Sequence, residues 1–232
     1  DTKSADSVKY YAKRDFSNGE VITDVRSNNC TYPFEYTLTE DLAQGDSIMI
    51  KDIISSTLLI ATEGKIVMTR DALKFNKKID WWTIATFTGI PNALAISADG
   101  DVAYIGTVKG NLYRLSGISD AVTKDLATVD TVSVITKVEI DPATFNSQAI
   151  TSIAIDPQDN NRVIITLGNY GNDDYVFYAE DGKTFTSVQN NLPKVPVYSS
   201  LIENTTGLVM IGTEKGIYTS EDLTNWTADN TV

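Results

Sequence analysis

Short apolar runs separated by turn residues fill this sequence, whereas the spacing of an amphipathic helix is scarce. Runs of this length, bounded by Gly, Asn and Asp, are typical of β-strands. Four hairpins follow from the pattern. Their paired strands are residues 58–62 with 65–69, 102–107 with 111–114, 163–167 with 175–179, and 208–213 with 217–220. The pattern therefore predicts an all-β protein.

A further strand precedes each hairpin, and a polar stretch that suits an edge strand follows three of them. The preceding strands are 48–50, 93–96, 150–155 and 197–202. The unit of four antiparallel strands recurs after about 45 residues, a period typical of a β-propeller, and lengthens to about 60 in the second unit. We therefore predict blades at about 48–90, 91–149, 150–192 and 193–232.

Residues 1–47 fit this repeat less well. Residues 8–12 and 34–38 are candidate strands. They are expected to be outer strands of a preceding blade or an irregular fifth blade. The pattern leaves the total open between four blades, five blades and part of a larger propeller.

A seven-residue turn recurs directly after three apolar strands, at residues 69–75, 179–185 and 220–226. Its third residue is Asp, and an aromatic residue follows four positions later. An Asp at the head of a turn accepts hydrogen bonds from backbone N–H groups, and the aromatic ring can fill space between sheets. We predict a structural role for Asp71, Phe75, Asp181, Gly182, Phe185, Ser220, Asp222 and Trp226.

Composition removes several classes of function. The net charge of −12 argues against binding to nucleic acid, whose phosphates require clusters of Lys and Arg. The chain has no histidine, the commonest general base and transition-metal ligand. Cys30 is alone, which excludes an internal disulfide and a thiolate zinc site. No apolar run approaches the roughly 20 residues of a transmembrane helix.

The seven-residue turns resemble the Asp-box, or bacterial neuraminidase repeat (BNR), of sialidase-like and sortilin-like β-propellers. Residues 153–157 followed by 160–164 are similar to the start of a blade in that family, and 105–107 and 211–213 are similar to its inner strand. The resemblance extends from about residue 48 to 228 and implies a propeller in which the box Asp is structural. The first turn departs from the pattern, and the second blade has no such turn.

The resemblance also indicates what a sialidase would need. Its site combines three converging arginines, a Tyr nucleophile with a Glu partner, and an acidic Asp. The five arginines here are Arg14, Arg26, Arg70, Arg114 and Arg162, and neither Arg70 nor Arg162 is well placed. We therefore predict no catalytic residue. An acid/base pair for another glycoside stays open, because 31 acidic residues provide many pairs and none is marked.

The longest hairpin loop, residues 168–174, is the best candidate for recognition. It combines an aromatic ring, amides and carboxylates, groups that suit a sugar or a calcium ion. The candidate ligand-binding residues are Asn169, Tyr170, Asn172, Asp173 and Asp174. The alternative is a solvated loop with no ligand. Beyond calcium, no cofactor is predicted.

These observations favour an exported, non-catalytic propeller that acts as a binding or assembly scaffold at a cell surface, with a glycan or protein ligand. Residues 6–8, 46–48 and 130–132 resemble the O-glycosylation acceptor of exported Bacteroidetes proteins. The expected location is extracellular or at the cell surface, with the periplasm as an alternative. The competing hypothesis is a fragment of a sialidase-like glycoside hydrolase whose catalytic residues lie outside this chain. A subunit or fragment of a larger assembly is also left open.

Overall fold

The computed structural model describes residues 7–11, 15–25, 33–51, 57–70, 72, 78–79, 81–119 and 135–229. These ranges hold β-strands and one short 3-10 helix, and they contain no α-helix. The chain divides into two compact units. The first comprises residues 1–60 and 68–82, and the second comprises residues 61–67 and 83–232.

The first unit begins with two two-stranded antiparallel sheets. Its strands are β1 (Ser7–Tyr11), β2 (Val21–Val25), β3 (Pro33–Thr37) and β4 (Ser47–Lys51). Strand β1 pairs with β4, and β2 pairs with β3. We expected residues 48–50 to form the first strand of the first propeller blade. They lie instead in β4, which pairs with β1. A short apolar run predicts a strand but does not identify the strand with which it pairs.

An internal repeat explains this pairing, and sequence reasoning missed it. Residues 8–25 and 34–51 align without a gap, with Asp15 on Asp41 and Gly19 on Gly45. The turns of the two repeats bond to each other in the same way. The backbone N–H of Asn18 donates to Asp41 Oδ1 at 2.7 Å, and that of Gln44 donates to Asp15 Oδ1 at 2.9 Å. Each repeat therefore caps the other.

Four consecutive sheets follow, and neighbouring strands are antiparallel in the last three. Strands β5 (Leu58–Thr62), β6 (Lys65–Thr69) and β7 (Trp82–Thr86) form a three-stranded sheet in that order. The next three sheets have four strands each, and we call them the second, third and fourth blades. The second contains β8 (Pro91–Ile96), β9 (Val102–Thr107), β10 (Leu112–Ser116) and β11 (Thr136–Ile140).

The third blade contains β12 (Ile150–Asp156), β13 (Asp159–Leu167), β14 (Val176–Ala179) and β15 (Thr186–Ser187). The fourth contains β16 (Val197–Ile202), β17 (Val209–Thr213), β18 (Gly216–Ser220) and β19 (Thr227–Asp229). In each blade the strands lie in chain order. The predicted all-β propeller of four-stranded antiparallel blades is confirmed. The fourth strand of the second blade lies within the extra sequence, 115–149, that lengthens this unit.

The blades of the second unit pack through their faces, and their first strands lie side by side. Strand β8 contacts β12, and β12 contacts β16. Polar side chains tie these strands across the gaps. Asn92 donates to the carbonyl of Ile150 at 2.8 Å, and the Thr151 hydroxyl donates to the carbonyl of Val197 at 2.5 Å. One apolar cluster runs through all three blades.

Tight inter-blade packing fixes the residue at two positions. A Cβ atom built on Gly106 would overlap Cγ2 of Ile150 and lie 2.7 Å from Cβ of Ile150, on the next blade. Gly182 has a φ of +69°, and a Cβ there would overlap the hydroxyl of Tyr104. That hydroxyl donates to the carbonyl of Gly182 at 3.1 Å. Glycine thus lets the turn of the third blade contact the second blade directly.

Candidate functional site

The described structure contains two of the three seven-residue turns, each joining the third and fourth strands of a blade. In the third blade, Asp181 Oδ1 accepts hydrogen bonds from the backbone N–H groups of Lys183 and Thr184, at 2.8 and 2.6 Å. The Thr184 hydroxyl donates to the other carboxylate oxygen at 2.7 Å. The turn of the third blade is therefore closed by the carboxylate of Asp181.

The turn of the fourth blade is built in the same way. Asp222 Oδ1 accepts from the backbone N–H groups of Thr224 and Asn225, both at 2.8 Å. The Ser220 hydroxyl accepts from the N–H of Leu223 at 2.9 Å. Leu223 has a φ of +60°, the left-handed conformation that Gly182 adopts at the equivalent place. The predicted residues Asp71 and Phe75 of the first turn lie outside the described residues.

The aromatic residue of each of these two described turns is buried. The ring of Phe185 lies 5.3 Å from that of Phe145, which belongs to the 3-10 helix Pro142–Phe145 before the third blade. Trp226 donates from Nε1 to the carbonyl of Val188 at 2.9 Å, and its backbone N–H donates to Asn191 Oδ1. Both rings thus fill space within the core.

The hydrogen bonds to the carboxylates of Asp181 and Asp222 should make the stability of the chain depend on pH in the acid range. The backbone N–H of Thr184, its hydroxyl and the N–H of Lys183 lower the pKa of Asp181 from 3.8 to about 2. Bonds from Asn225 and Thr224 lower the pKa of Asp222 in the same direction. Because the folded pKa is depressed, the stabilisation is complete above pH 3.8 and is lost as the pH falls towards 2.

We therefore expect the urea midpoint of the chain to fall between about pH 4 and pH 2. In Asp181→Asn the midpoint should be lower at neutral pH, and its fall over the acid range should be smaller. The neighbouring exposed residue provides the control, because Glu180→Gln removes the same charge without touching these bonds. An acid profile that is identical in Asp181→Asn and the unsubstituted chain would contradict this role for Asp181.

The predicted recognition loop, residues 168–174, joins β13 to β14, and most of its polar side chains are bonded to other groups of the protein. Asp173 forms an ion pair with Lys194 at 2.6 Å, and Asp174 accepts from the Ser187 hydroxyl at 2.5 Å. Asn172 donates to the carbonyl of Gly168, and Asn169 donates to Gln148. A calcium ion would have to displace Lys194 and Ser187, so the described geometry does not favour it.

Among the described residues, no group of three or more His, Cys, Asp and Glu side chains could hold a metal ion. The carboxylates of Asp173 and Asp174 face different partners instead of converging. The donor set of the loop therefore does not fit calcium.

Tyr170 is the exposed aromatic residue of this loop. It is 67% exposed, and its hydroxyl donates to the carboxylate of Glu214, in the turn between β17 and β18 of the next blade. This bond is the main cause that raises the pKa of Tyr170 to about 12, and the phenol of Tyr198 adds to the shift. Tyr198, the second residue of β16, is 53% exposed, and Val197 before it pairs with Thr213, the residue that precedes Glu214. We call Tyr170, Tyr198 and Glu214 the tyrosine patch.

Sequence reasoning found Tyr170 but missed Tyr198 and Glu214. Residue 170 lies in the turn between the second and third strands of the third blade, and residue 214 lies in the same turn of the fourth blade. Equivalent turns of adjacent blades lie on one side of a propeller, so the repeat itself was the available signal. The patch offers two aromatic faces and a hydrogen-bonding carboxylate, groups that suit a sugar.

The described arginines lie elsewhere in the blades. Arg114 donates to the Tyr104 hydroxyl and to Asn161, and Arg162 bonds to Asp156 and the Tyr178 hydroxyl. Arg70 is buried, which lowers its pKa to about 10. None of these contacts places a guanidinium beside the tyrosine patch. In the part of the chain that the structure describes, no helix is long and apolar enough to span a membrane.

Comparison with solved structures finds similar folds at low identity. An ancestral GH74 enzyme is 17% identical with a TM-score of 0.52, covering 75% of this chain and 22% of that one. A GH74 enzyme from Niastella koreensis is 15% identical with a TM-score of 0.53, covering 92% and 37%. A chain of the nidogen/laminin complex is 17% identical with a TM-score of 0.52, covering 76% and 62%.

The chain thus spans less than two thirds of the length of each of these proteins. At such identities the likeness supports the propeller fold alone. No protein-family model matches the chain. No curated protein matches it either.

Proposed function

We propose that this chain is a non-catalytic binding scaffold of an exported protein at a cell surface, and that it binds a glycan through the tyrosine patch. One observation carries the proposal. The aromatic rings of Tyr170 and Tyr198 are exposed on adjacent blades, Tyr170 bonds to the carboxylate of Glu214, and the two carboxylates of the loop itself bond to Lys194 and Ser187. An exposed ring on a rigid scaffold supplies contact area with little loss of conformational entropy.

Tyr170 is held in place by more than its own backbone. Its hydroxyl bonds to Glu214, so two blades fix its ring. Asn169 beside it has a φ of +64° and bonds to Gln148. A ring that is already ordered loses less freedom when a ligand binds, which favours affinity.

The proposal predicts that truncation of either tyrosine weakens glycan binding. Screening the chain on a glycan array should identify a ligand, and titration of that ligand should show Tyr170→Ala or Tyr198→Ala weakening binding by about tenfold or more. Leu201→Ala is the matched control, because Leu201 lies on the same strand as Tyr198 and is equally exposed. Its affinity should equal that of the unsubstituted chain. Unchanged affinity in both tyrosine variants would contradict the proposal.

A protein ligand is the alternative outcome of the same test. If the array retains no glycan and a pull-down recovers a protein whose binding requires Tyr170, the patch binds protein instead. If neither a glycan nor a protein is retained, the patch has no binding role.

The second candidate function is part of a glycoside hydrolase. The observation that favours it is the similarity to two GH74 enzymes, of which this chain covers only 22% and 37%. The two hypotheses differ in turnover. If the full-length protein is a scaffold, it should release no product from the retained glycan. Release of product that is lost when a residue outside this chain is substituted would favour the hydrolase.

A further inference from the structure

Each blade has one face directed towards the preceding blade and one directed away from it. The second of these faces is more exposed in the fourth blade than in the second and third. We call this the outgoing face of a blade. Strands β9 of the second blade and β13 of the third are buried on both faces, from 102 to 107 and from 163 to 167. Strand β17 of the fourth is buried at Val209 and Ile211 but only partly buried at Met210 and Gly212. Alternate residues of β17 are therefore only partly covered.

Strand register identifies the equivalent positions on the three outgoing faces. One row across the strands is Ala95, Tyr104 and Arg114 in the second blade. The row is Ala154, Ile164 and Tyr178 in the third blade and Leu201, Met210 and Thr219 in the fourth. A neighbouring row pairs Gly106 with Leu112, Thr166 with Val176, and Gly212 with Ile217.

Two positions on these rows, one in the first strand and one in the third, hold an aliphatic residue in all three blades, and both are most exposed in the fourth. Leu112 and Val176 are fully buried, whereas Ile217 is 51% exposed. Ala154 is buried, whereas Leu201 is 53% exposed. The fourth blade thus retains large aliphatic side chains at positions that a following blade covers elsewhere. Exposing such side chains forgoes the stabilisation that their burial provides.

The contacts of the second blade show which element buries its outgoing face. Its outgoing face meets the third blade directly, since Gly106 lies against Ile150 and the Tyr104 hydroxyl bonds to Gly182. The third blade in turn packs on the side of the fourth that carries Val209 and Ile211, within one core. The same kind of interface therefore occurs twice in this unit, between the second and third blades and between the third and fourth. The open face of the fourth blade corresponds to the first half of a third such interface.

We propose that the outgoing face of the fourth blade, formed by Leu201, Met210, Gly212, Ile217 and Thr219, is a docking surface for a further blade. The occupant is an antiparallel sheet that presents branched aliphatic side chains from its second strand, as Val209 and Ile211 do towards the third blade. A second copy of this chain is a poorer partner, because two chains of net charge −12 repel each other.

The test adds to the full chain a blade whose packing face is known, namely the face that carries Val209 and Ile211. A second copy of residues 193–232 joined after Val232 would present its own Val209 and Ile211 to the open face. Hydrogen exchange at the amides of β18 should then slow by about tenfold or more, because the added sheet covers them. The control is the same extended chain with V209K and I211K in the added copy only, which should show no slowing. Equal exchange in the two extended chains would overturn the proposal.

A second measurement on the unextended chain keeps the proposal testable if the added copy does not fold. Leu201→Glu combined with Ile217→Glu should lower the fluorescence of a bound hydrophobic dye by about threefold or more while leaving the thermal midpoint unchanged, since the face is open. Unchanged fluorescence would count against a docking surface. A stable dimer of the unsubstituted chain that these substitutions dissociate would assign the face to a second copy and overturn the proposal.

Discussion

Replacing Trp226 by alanine is expected to cost about 3–5 kcal/mol of unfolding free energy. Trp226 is buried in the core that the third and fourth blades share. Its truncation would leave a cavity and would remove the hydrogen bond from Nε1 to the carbonyl of Val188. Urea unfolding at neutral pH measures the loss.

Trp226→Phe separates the ring from its hydrogen bond. Phe185 occupies the equivalent position in the third blade, so a phenyl ring suits this site. The phenylalanine variant should cost about 1 kcal/mol for the lost hydrogen bond, with a smaller part from volume. Equal losses in Trp226→Ala and Trp226→Phe would show that the ring does not fill the core.

Gly106→Ala is expected to cost about 1–3 kcal/mol, because the new methyl group would collide with a branched side chain of the next blade. The neighbour is Ile150, which is fully buried and cannot move aside. The thermal midpoint and the free energy of unfolding should both fall. The effect measures how tightly the second and third blades are packed.

Gly212→Ala is the matched control, since Gly212 holds the equivalent position on the fourth blade. Its new Cβ would meet only the side chain of Ser199, whose hydroxyl can rotate away. The expected change is within about 0.5 kcal/mol. If Gly212→Ala destabilised the chain as much as Gly106→Ala, close packing by a following blade would not explain the glycine.

Much of the propeller could be predicted from the sequence. The first hairpin strand of each of the four sheets is a nearly continuous apolar run, the second alternates more, and their turns contain the residues that turns require. The carboxylates of Asp181 and Asp222 bond to the backbone as such turns allow. These features are local, so neighbouring residues determine them.

The parts that escaped prediction depend on partners distant in sequence. Strand β4 is a short apolar run like the first strands of the blades, and only its pairing with β1 places it elsewhere. The repeat that relates Asp15 to Asp41 is visible in the sequence, but it is shorter than the four-stranded unit and does not share its period. The exposure of a side chain also depends on residues distant in sequence. Met210 and Ile164 belong to similar apolar runs, and only a neighbouring blade distinguishes them.

The candidate site shows the same limit. Tyr170 could be selected because its loop is long and rich in Gly and Asn. The presence of Glu214 and Tyr198 beside it follows from the stacking of two blades. The internal contacts of Asp173 and Asp174 also required coordinates, since Lys194 and Ser187 lie well away along the chain.

Radical footprinting of the chain with its retained glycan, followed by mass spectrometry of both molecules, tests binding without turnover most directly. We expect oxidation of Tyr170 and Tyr198 to fall by about fivefold or more at saturation, because a bound sugar covers their rings. Oxidation of the partly buried Tyr218 should stay constant, and the glycan should be recovered intact. Protection confined to other residues, or recovery of a cleaved glycan, would contradict a non-catalytic site at these two tyrosines.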